Sequence, residues 1–595
     1  MNAADSAHAE PGVARARPGG ISRRAAAFAV ISCLLLALAL RTFALSALLP
    51  CQVDPDATVI PSQVELIRSG AKQRDASVAW RMYPHLVAEL AALLPEPVRH
   101  GTTLEAHLEH AAAPFARVRL VVALLSLIGV PATYWLARRF LARGPALLAT
   151  FLSATSLLTL LFAQQARPHA PAAAFALLAV VAALLVARRP GFASCTLAGV
   201  AVGLAAGTLQ SGVLTIFPVA AAWWLRDRGP SREPARRLAR WLTPLWMLLL
   251  AAVIGWTLFP HGELGGLVLT HGPGDPRVAQ GAGHDVRLDH FTGGGFAVIA
   301  GTLLSLETVT FVAALVALGF GVRAILVRRA DTAVLRRDTL VAAAYVVPYV
   351  LVFGLFDATC ERFVLQLVPF VACLAAAAWS RFASRTSRPV AALCLAALAL
   401  PSLAADVALE RVRVRASGPS QLAAWIEENV APDTERVLCV PGVDVPLART
   451  QEALDADNGA SFSSAWVAYQ RLHAKDPWDC ARYALSSAPM LRARDFSPAL
   501  ADPLATVHAS QASLVALVSP SRERAQDFAV QLAAAFQRAL AGSSTRVCKA
   551  PADARDPARH PTLDYNIKVD GTIWTWELLS GHPSFGTTME LYRLP

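Results

Sequence analysis

Apolar runs long enough to cross a membrane recur through the first two thirds of this chain, and no other feature narrows its fold as much. A helix of about 20 apolar residues spans the hydrocarbon core and satisfies its own backbone hydrogen bonds, which lipid demands. The runs fall near residues 25–49, 115–137, 145–163, 170–187, 191–207, 211–225, 241–259, 296–320, 339–356, 362–379 and 389–405. They predict a polytopic α-helical membrane protein with about eleven spans. Of the residues, 55% are hydrophobic and 16% charged, whereas a soluble globular chain carries about 25% charged residues.

The formal net charge of +11 would suit a polyanionic partner if it formed one patch. It does not. Basic residues gather in short segments between the runs, at Arg15–Arg24, Arg138–Arg143, Arg188–Arg189, Arg226–Arg240, Arg323–Arg337 and Arg381–Arg388. With the N-terminus in the cytoplasm all of these clusters fall on the cytoplasmic face, the positive-inside pattern. The charge therefore reports topology, and no nucleic-acid partner is expected. The first run is too long for a signal-peptide core and precedes no A-x-A cleavage pattern, so it reads as a retained span.

Three units follow: a disordered cytoplasmic tail at 1–24, a membrane domain at 25–405 that includes a long outer loop at 50–113, and an extracytoplasmic domain at 406–595. In the last unit "ERVLCVPGV", "ASLVALVSPS", "GTIWTWELL" and "TTMELYRLP" read as strands, and "SRERAQDFAVQLAAAFQRALAG" reads as a helix. A small soluble α/β or α+β domain is expected there. The nine cysteines show no C-x-x-C and no zinc spacing. His261, His271, His284, Asp285, Asp289 and His290 crowd one Gly-rich outer loop but match no ligand pattern, so they read as a flexible lid or solvated loop. His100, His107 and His110 read the same way.

Just after the first run, "VDPDATVIPSQVELIRSG" places Asp54 and Asp56 within a turn of the lipid boundary. A carboxylate there is either solvated or kept for chemistry. "YPHLVAELAALL" follows, "LALRTF" precedes it, and "AQQARPHAPAAAFALLAVVAALL", "GTLQSGVLTIFPVAAAWW" and "CERFVLQLVPFVACLAAA" come later in the chain. Taken in this order, the stretches resemble the GT-C glycosyltransferases. Within that superfamily they are most similar to the bacterial branch related to protein O-mannosyltransferases and to the aminoarabinose transferases of lipid A. That branch typically reads P-D-E, a helix ending in Gly, Y-P-P-L, S-Q-E-A-R-x-Y-A-L and E-R-Y-L-L-P. The resemblance covers most of residues 30–380, and the domain after it carries no matching motif. Two positions depart: Ala57 stands where the family has an acidic residue after its aspartate, and Gln165 replaces the glutamate of the second motif.

The resemblance implies an enzyme of the bacterial inner membrane that moves a sugar from a polyprenyl-phosphate donor to a lipid, glycan or protein acceptor on the outer face, with inversion. It implies Asp56 as the base and Arg41 as the arginine of the first span; Asp54, two residues before Asp56, supplies a second carboxylate that would aid it. Both departures remove potential metal ligands, so no cofactor is certain and a divalent metal is left open. Chemistry sets its own requirements. A base within reach of the acceptor hydroxyl contributes about 10²–10⁴ in rate, and forked guanidiniums stabilise a departing phosphate. The outer ends of the spans offer Arg167 and Arg362 for the phosphate, Gln165 as a hydrogen-bonding partner of the donor, and Tyr83 and His85 for an acceptor groove.

Plainer readings stand beside these. Asp56 also suits a solvated carboxylate or helix cap, and Arg167 and Arg362 also suit snorkelling residues that set span depth. Arg41 could pair with a structural carboxylate. The rival function is a transporter or a non-catalytic assembly subunit on the same spans. It is favoured by Ala57 and Gln165, and disfavoured by the absence of an internal repeat.

Overall fold

The computed structural model describes residues 21–51, 55–70, 78–226, 234–259, 278–281, 284–326, 333–432, 434–456, 464–487, 500–519, 528–542, 544–552, 571–581 and 585–595. Among them six helices are long and apolar enough to cross a membrane: Arg23–Thr42, Leu104–Phe140, His169–Arg188, Leu335–Leu355, Glu361–Ala383 and Arg388–Asn429. Two bent pairs, Arg143–Ala154 with Leu157–Ala163 and Gly294–Leu306 with Thr308–Phe320, raise the number to eight if each is one span. The chain is thus an integral membrane protein. Shorter apolar helices lie at Phe192–Ala206, Gln210–Leu225 and Leu242–Leu258.

Helix His169–Arg188 has no polar face and is buried on nearly every side, as such a helix must be. Small residues let the neighbouring helices close in. A Cβ on Gly199 would stand 2.6 Å from the Met247 carbonyl oxygen, and one on Gly203 would stand 2.7 Å from Ile254 Cβ. Those glycines let Phe192–Ala206 approach Leu242–Leu258 backbone to backbone.

The run at 296–320, expected as a single span, is two helices meeting at 120° around Glu307. A carboxylate in an apolar run is costly against lipid, and the break turns it inward. Its Oε1 accepts from Ser156 Oγ at 2.6 Å and from the Leu158 N–H at 3.2 Å. The same carboxylate therefore also holds the start of Leu157–Ala163. At the broken end, the carbonyls of Ser305 and Leu306 accept from the Thr575 hydroxyl at 3.2 and 3.1 Å.

Thr575 belongs to "GTIWTWELL", and here the structure corrects the strand reading. The segment forms the helix Trp574–Leu579, with Trp574 and Leu578 buried in the core of the membrane domain beside Leu303, Leu306 and Leu409. Aromatic and Thr content favours a strand only where a sheet surface receives it. Here the receiving surface is helical.

In the His- and Gly-rich loop, β1 (Val278–Gly281) and β2 (His284–Arg287) form an antiparallel hairpin. His261 and His271 of that loop lie outside the described residues. The C-terminal sheet comprises β3 (Arg436–Cys439), β4 (Ala448–Arg449), β5 (Arg482–Ser487), β6 (Leu514–Val518), β7 (Thr545–Ala550) and β8 (Met589–Arg593), in the order β4-β5-β3-β6-β8-β7. The first four positions are parallel, and β8 runs antiparallel to β6 and β7. Strand β6 is apolar throughout because helices cover both faces. Leu514, Ala516 and Val518 pack with Leu422 and Ile426, while Val515 and Leu517 pack with Leu532 and Phe536. The expected strands at "ERVLCVPGV", "ASLVALVSPS" and "TTMELYRLP" are β3, β6 and β8.

This domain docks on the N-terminal end of the helix that begins at Leu104. His107 stacks on Trp478 at 3.6 Å and 2°, His110 Nδ1 lies 3.0 Å from Tyr469 Oη, and Arg99 pairs with Asp476 at 2.5 Å. Among the described residues no group of three or more His, Cys, Asp or Glu is placed to hold a metal ion.

Two predictions follow from this packing. Glu307→Leu strands a buried hydroxyl and a buried N–H, so it should destabilise the protein by about 1–3 kcal/mol, read as a lower melting temperature in detergent. Glu307→Gln keeps an acceptor and should lose less. The second concerns Asp444, buried 3.6 Å from Arg449. Burial pushes its carboxyl from 3.8 up to about 7, against the opposing pull of Arg449. Between those values the folded chain binds more proton than the unfolded chain, so this group's contribution to stability falls as pH rises through the window. The slope is about 1.4 kcal/mol per pH unit. Asp444→Asn should flatten the decline of melting temperature across that range, and an unchanged slope would rule the assignment out.

Candidate active site

Asp56 sits in a short 3-10 turn, Pro55–Thr58, that runs into the helix Val59–Ser69. Ala57, Val59 and Ile60 are buried and anchor the turn. From the inner face of the helix, Gln63 Nε2 donates to the carbonyls of Ala79 at 3.0 Å and Tyr83 at 2.9 Å, which ties the helix to the corner at Tyr83. Gly70 ends it at φ 62°, a left-handed position that costs glycine little.

Arg167 arrives on an irregular loop between Leu157–Ala163 and His169–Arg188. Non-helical backbone at membrane depth is tolerated where protein buries it, and Gln164, Gln165, Ala166 and Arg167 are all buried. Gln164 is the brace. Its Nε2 lies 2.9 Å from the carbonyl oxygens of Leu40 and Phe43 and 2.9 Å from Glu410 Oε1. Glu410 also accepts from Arg413 Nη1 at 3.0 Å, and the Arg413 guanidinium lies 4.8 Å from the centre of the Phe585 ring. The helix Arg388–Arg413 thereby holds the loop that carries Arg167.

Arg362 comes from a third element, the 3-10 turn Glu361–Leu367. Tyr349 Oη donates to the Phe363 carbonyl at 2.7 Å and fixes that turn, and Pro369 opens the helix that follows.

The three elements converge on one atom. Arg167 Nη2 stands 3.1 Å and Arg362 Nη1 3.5 Å from Asp56 Oδ2. The Asp56 side chain is 27% exposed, against 4% for Arg167 and 18% for Arg362, so the carboxylate is the open side of the cluster and the cations lie behind it. His169, two residues beyond Arg167, packs edge-on against Tyr83 with centroids 6.0 Å apart and against Phe363 at 5.8 Å. Tyr83 thus reaches the cluster through His169.

The other residues singled out from the sequence are placed differently. Gln165 is buried in the Arg167 loop. Arg41 lies in the interior, with Nη1 3.0 Å from Ser126 Oγ and within electrostatic reach of Asp406, among the same helices that Gln164 and Glu410 connect. His85 lies against Trp80: its Nε2 is 2.9 Å from the Trp80 carbonyl oxygen and the ring centroids are 3.8 Å apart. Asp54 lies outside the described residues. Sequence reasoning missed Gln164, His169, Glu307 and Glu410. The available signal was polar residues within or just beyond apolar runs, which usually face the interior of a bundle.

Chemically, two guanidiniums beside one accessible carboxylate can hold an oxyanion and can receive a proton. Among the described residues the cluster gathers no set of metal ligands: Asp56 is engaged by two permanent cations, Ala57 follows it, and the loop that carries Arg167 presents Gln165.

Comparison with known proteins bears on this geometry. Residues 76–259 match the family of dolichyl-phosphate-mannose-protein mannosyltransferases. That match is in line with the resemblance to the GT-C glycosyltransferases read from the motifs. The segment includes Tyr83, His85, Gln164, Gln165, Arg167 and His169, and leaves Asp56 and Arg362 outside. Among solved structures the chain is similar to ArnT from Cupriavidus metallidurans bound to undecaprenyl phosphate, at 12% identity and a TM-score of 0.43, covering 96% of this chain and 98% of that one. It is also similar to the oligosaccharyltransferase of Archaeoglobus fulgidus, at 11% identity and a TM-score of 0.44, covering 88% and 72%. The arabinofuranosyltransferase AftD from Mycobacteria gives 17% identity and a TM-score of 0.41, covering 97% and 40%. Such low scores carry no residue correspondence. No curated protein sequence matches the chain.

The brace makes its own prediction. Glu410→Leu removes the carboxylate that pairs with the buried Arg413 guanidinium and should cost up to about 3–5 kcal/mol, seen as loss of cooperative thermal unfolding or a large fall in melting temperature. Glu410→Gln should lose less, and equal losses in the two variants would show that charge pairing is not what Glu410 contributes.

Proposed function

We propose that this protein is a GT-C-type glycosyltransferase that moves a sugar from a polyprenyl-phosphate donor to a hydroxyl of a lipid, glycan or protein acceptor at the outer face of a bacterial inner membrane. The observation that carries the reading is the convergence of Arg167 and Arg362 on Asp56. The match of residues 76–259 to a family named for dolichyl-phosphate-mannose transfer supports the donor class.

The donor places its lipid tail among the spans and its phosphate at the guanidiniums. A phosphate competes with Asp56 for both cations, so its arrival frees the carboxylate for the acceptor. The acceptor hydroxyl oxygen then forms a bond to the anomeric carbon while its proton passes to Asp56. The bond from that carbon to the phosphate oxygen breaks, and its electron pair leaves with the phosphate, whose growing charge Arg167 and Arg362 stabilise. In-line displacement of this kind inverts the anomeric centre. Asp54 would assist as a second carboxylate, and Gln165 and Tyr83 would line the donor and acceptor sides. The C-terminal domain, reached by the helix Arg388–Arg413 across the 405/406 boundary, would shield the groove or bind the acceptor.

Topology is part of the proposal. The six long helices, two bent pairs and three shorter apolar helices fall on the eleven runs read from the sequence, which supports eleven crossings with the N-terminus in the cytoplasm and the C-terminal domain outside. The alternation of arginine-rich segments supports the same orientation.

The test is transfer in proteoliposomes with labelled polyprenyl-phosphate sugars and a membrane extract as acceptor. Wild type should transfer label, and Asp56→Asn should lose about 10²–10⁴ in rate with insertion intact. Full activity in that variant would remove Asp56 as the base. No transfer from any donor by well-folded wild type would favour a non-catalytic subunit, the reading that Ala57 and Gln165 support.

A further inference from the structure

His169 is the one group at the cluster that the reaction above does not use. The residue is 3% exposed, and its Nδ1 is sealed from solvent. Among the described residues the ring has no hydrogen-bond partner; its recorded contacts are the edges of Tyr83 and Phe363 and the electrostatic influence of Arg167 and Arg362. Buried imidazoles ordinarily find a partner for at least one nitrogen. Nδ1 is sealed within the protein, and neither ring nitrogen is hydrogen-bonded among the described residues. The ring is held from two sides, beside two cations, with its polar atoms unsatisfied.

That arrangement fits an anionic acceptor of hydrogen bonds. A cationic ligand would meet Arg167 and Arg362, and an apolar one would leave Nε2 unpaired. Resting on the function proposed above, we propose that His169 is a third donor to the donor lipid's phosphate, through Nε2–H, beside the guanidiniums of Arg167 and Arg362. The sealed Nδ1 can take no partner, so a phosphate oxygen at Nε2 fixes the tautomer with the proton on Nε2; the protonated ring offers the same donor. The three groups also divide the work. The arginines can reach either Asp56 or a phosphate, whereas His169 has no recorded bond to Asp56 and is kept for the ligand.

The experiment is a binding titration on the full chain in nanodiscs, with polyprenyl monophosphate as probe and the matching uncharged polyprenol as control. His169→Phe keeps the ring against Tyr83 and Phe363 and deletes the donor; His169→Gln keeps an N–H at similar reach. His169→Phe should raise the Kd for polyprenyl monophosphate about tenfold or more, the range of a hydrogen bond to a charged group, and leave polyprenol binding unchanged. His169→Gln should recover most of that loss. Equal phosphate affinity in wild type and His169→Phe overturns the assignment of His169 alone. A parallel loss for polyprenol also overturns it, because the ring would then serve packing. Failure of wild type to prefer the phosphate over polyprenol overturns the donor class itself, and this assignment with it.

Discussion

Everything proposed for this protein depends on one carboxylate held by two guanidiniums. Asp56 is presented by a short turn after the first span, Arg167 by a loop between the helices Leu157–Ala163 and His169–Arg188, and Arg362 by a 3-10 turn before another span. None of these pieces is regular α-helix at the residue that matters. In a bilayer such irregular backbone survives only inside protein, which is why each piece is braced. Gln63, Gln164 and Tyr349 each hydrogen-bond to backbone carbonyls around the cluster, and those bonds set where the charged groups stand.

The braces also explain how distant parts of the chain take part. Gln164 couples the Arg167 loop to the end of the first span and to Glu410, and Arg413 carries the contact on to Phe585 near the C-terminus. The helix Trp574–Leu579 caps the broken helix at Glu307 through Thr575, and Glu307 in turn holds the start of Leu157–Ala163, the helix that ends just before Gln164. The segment after β7 therefore belongs to the support of the membrane site as much as to the C-terminal domain, which a boundary drawn at residue 405 hides. A polar network of this kind is stable only when its members are satisfied together.

Much of the architecture was legible because hydropathy is a local property. Apolar runs mark helices whatever their neighbours. The strands β3, β6 and β8 were legible for a similar reason, being short apolar segments bounded by turn residues. The reading failed where composition and surroundings disagreed. "GTIWTWELL" has the residues of a strand but meets a helical surface, and the run at 296–320 breaks because Glu307 needs Ser156 and the Leu158 N–H as partners.

By itself, the sequence determined that this is a membrane protein, where its apolar segments lie, and that Asp56, Arg167 and Arg362 stand near the ends of such segments. These follow from residue type and spacing within a few turns of chain. Only the tertiary structure decided that the three side chains meet on one oxygen, that Arg41 and His85 face other partners, and that His169 and Gln164 stand at the cluster. Those outcomes depend on how helices far apart in sequence pack, and the free energy that selects them resides in buried contacts between segments, which no local pattern records.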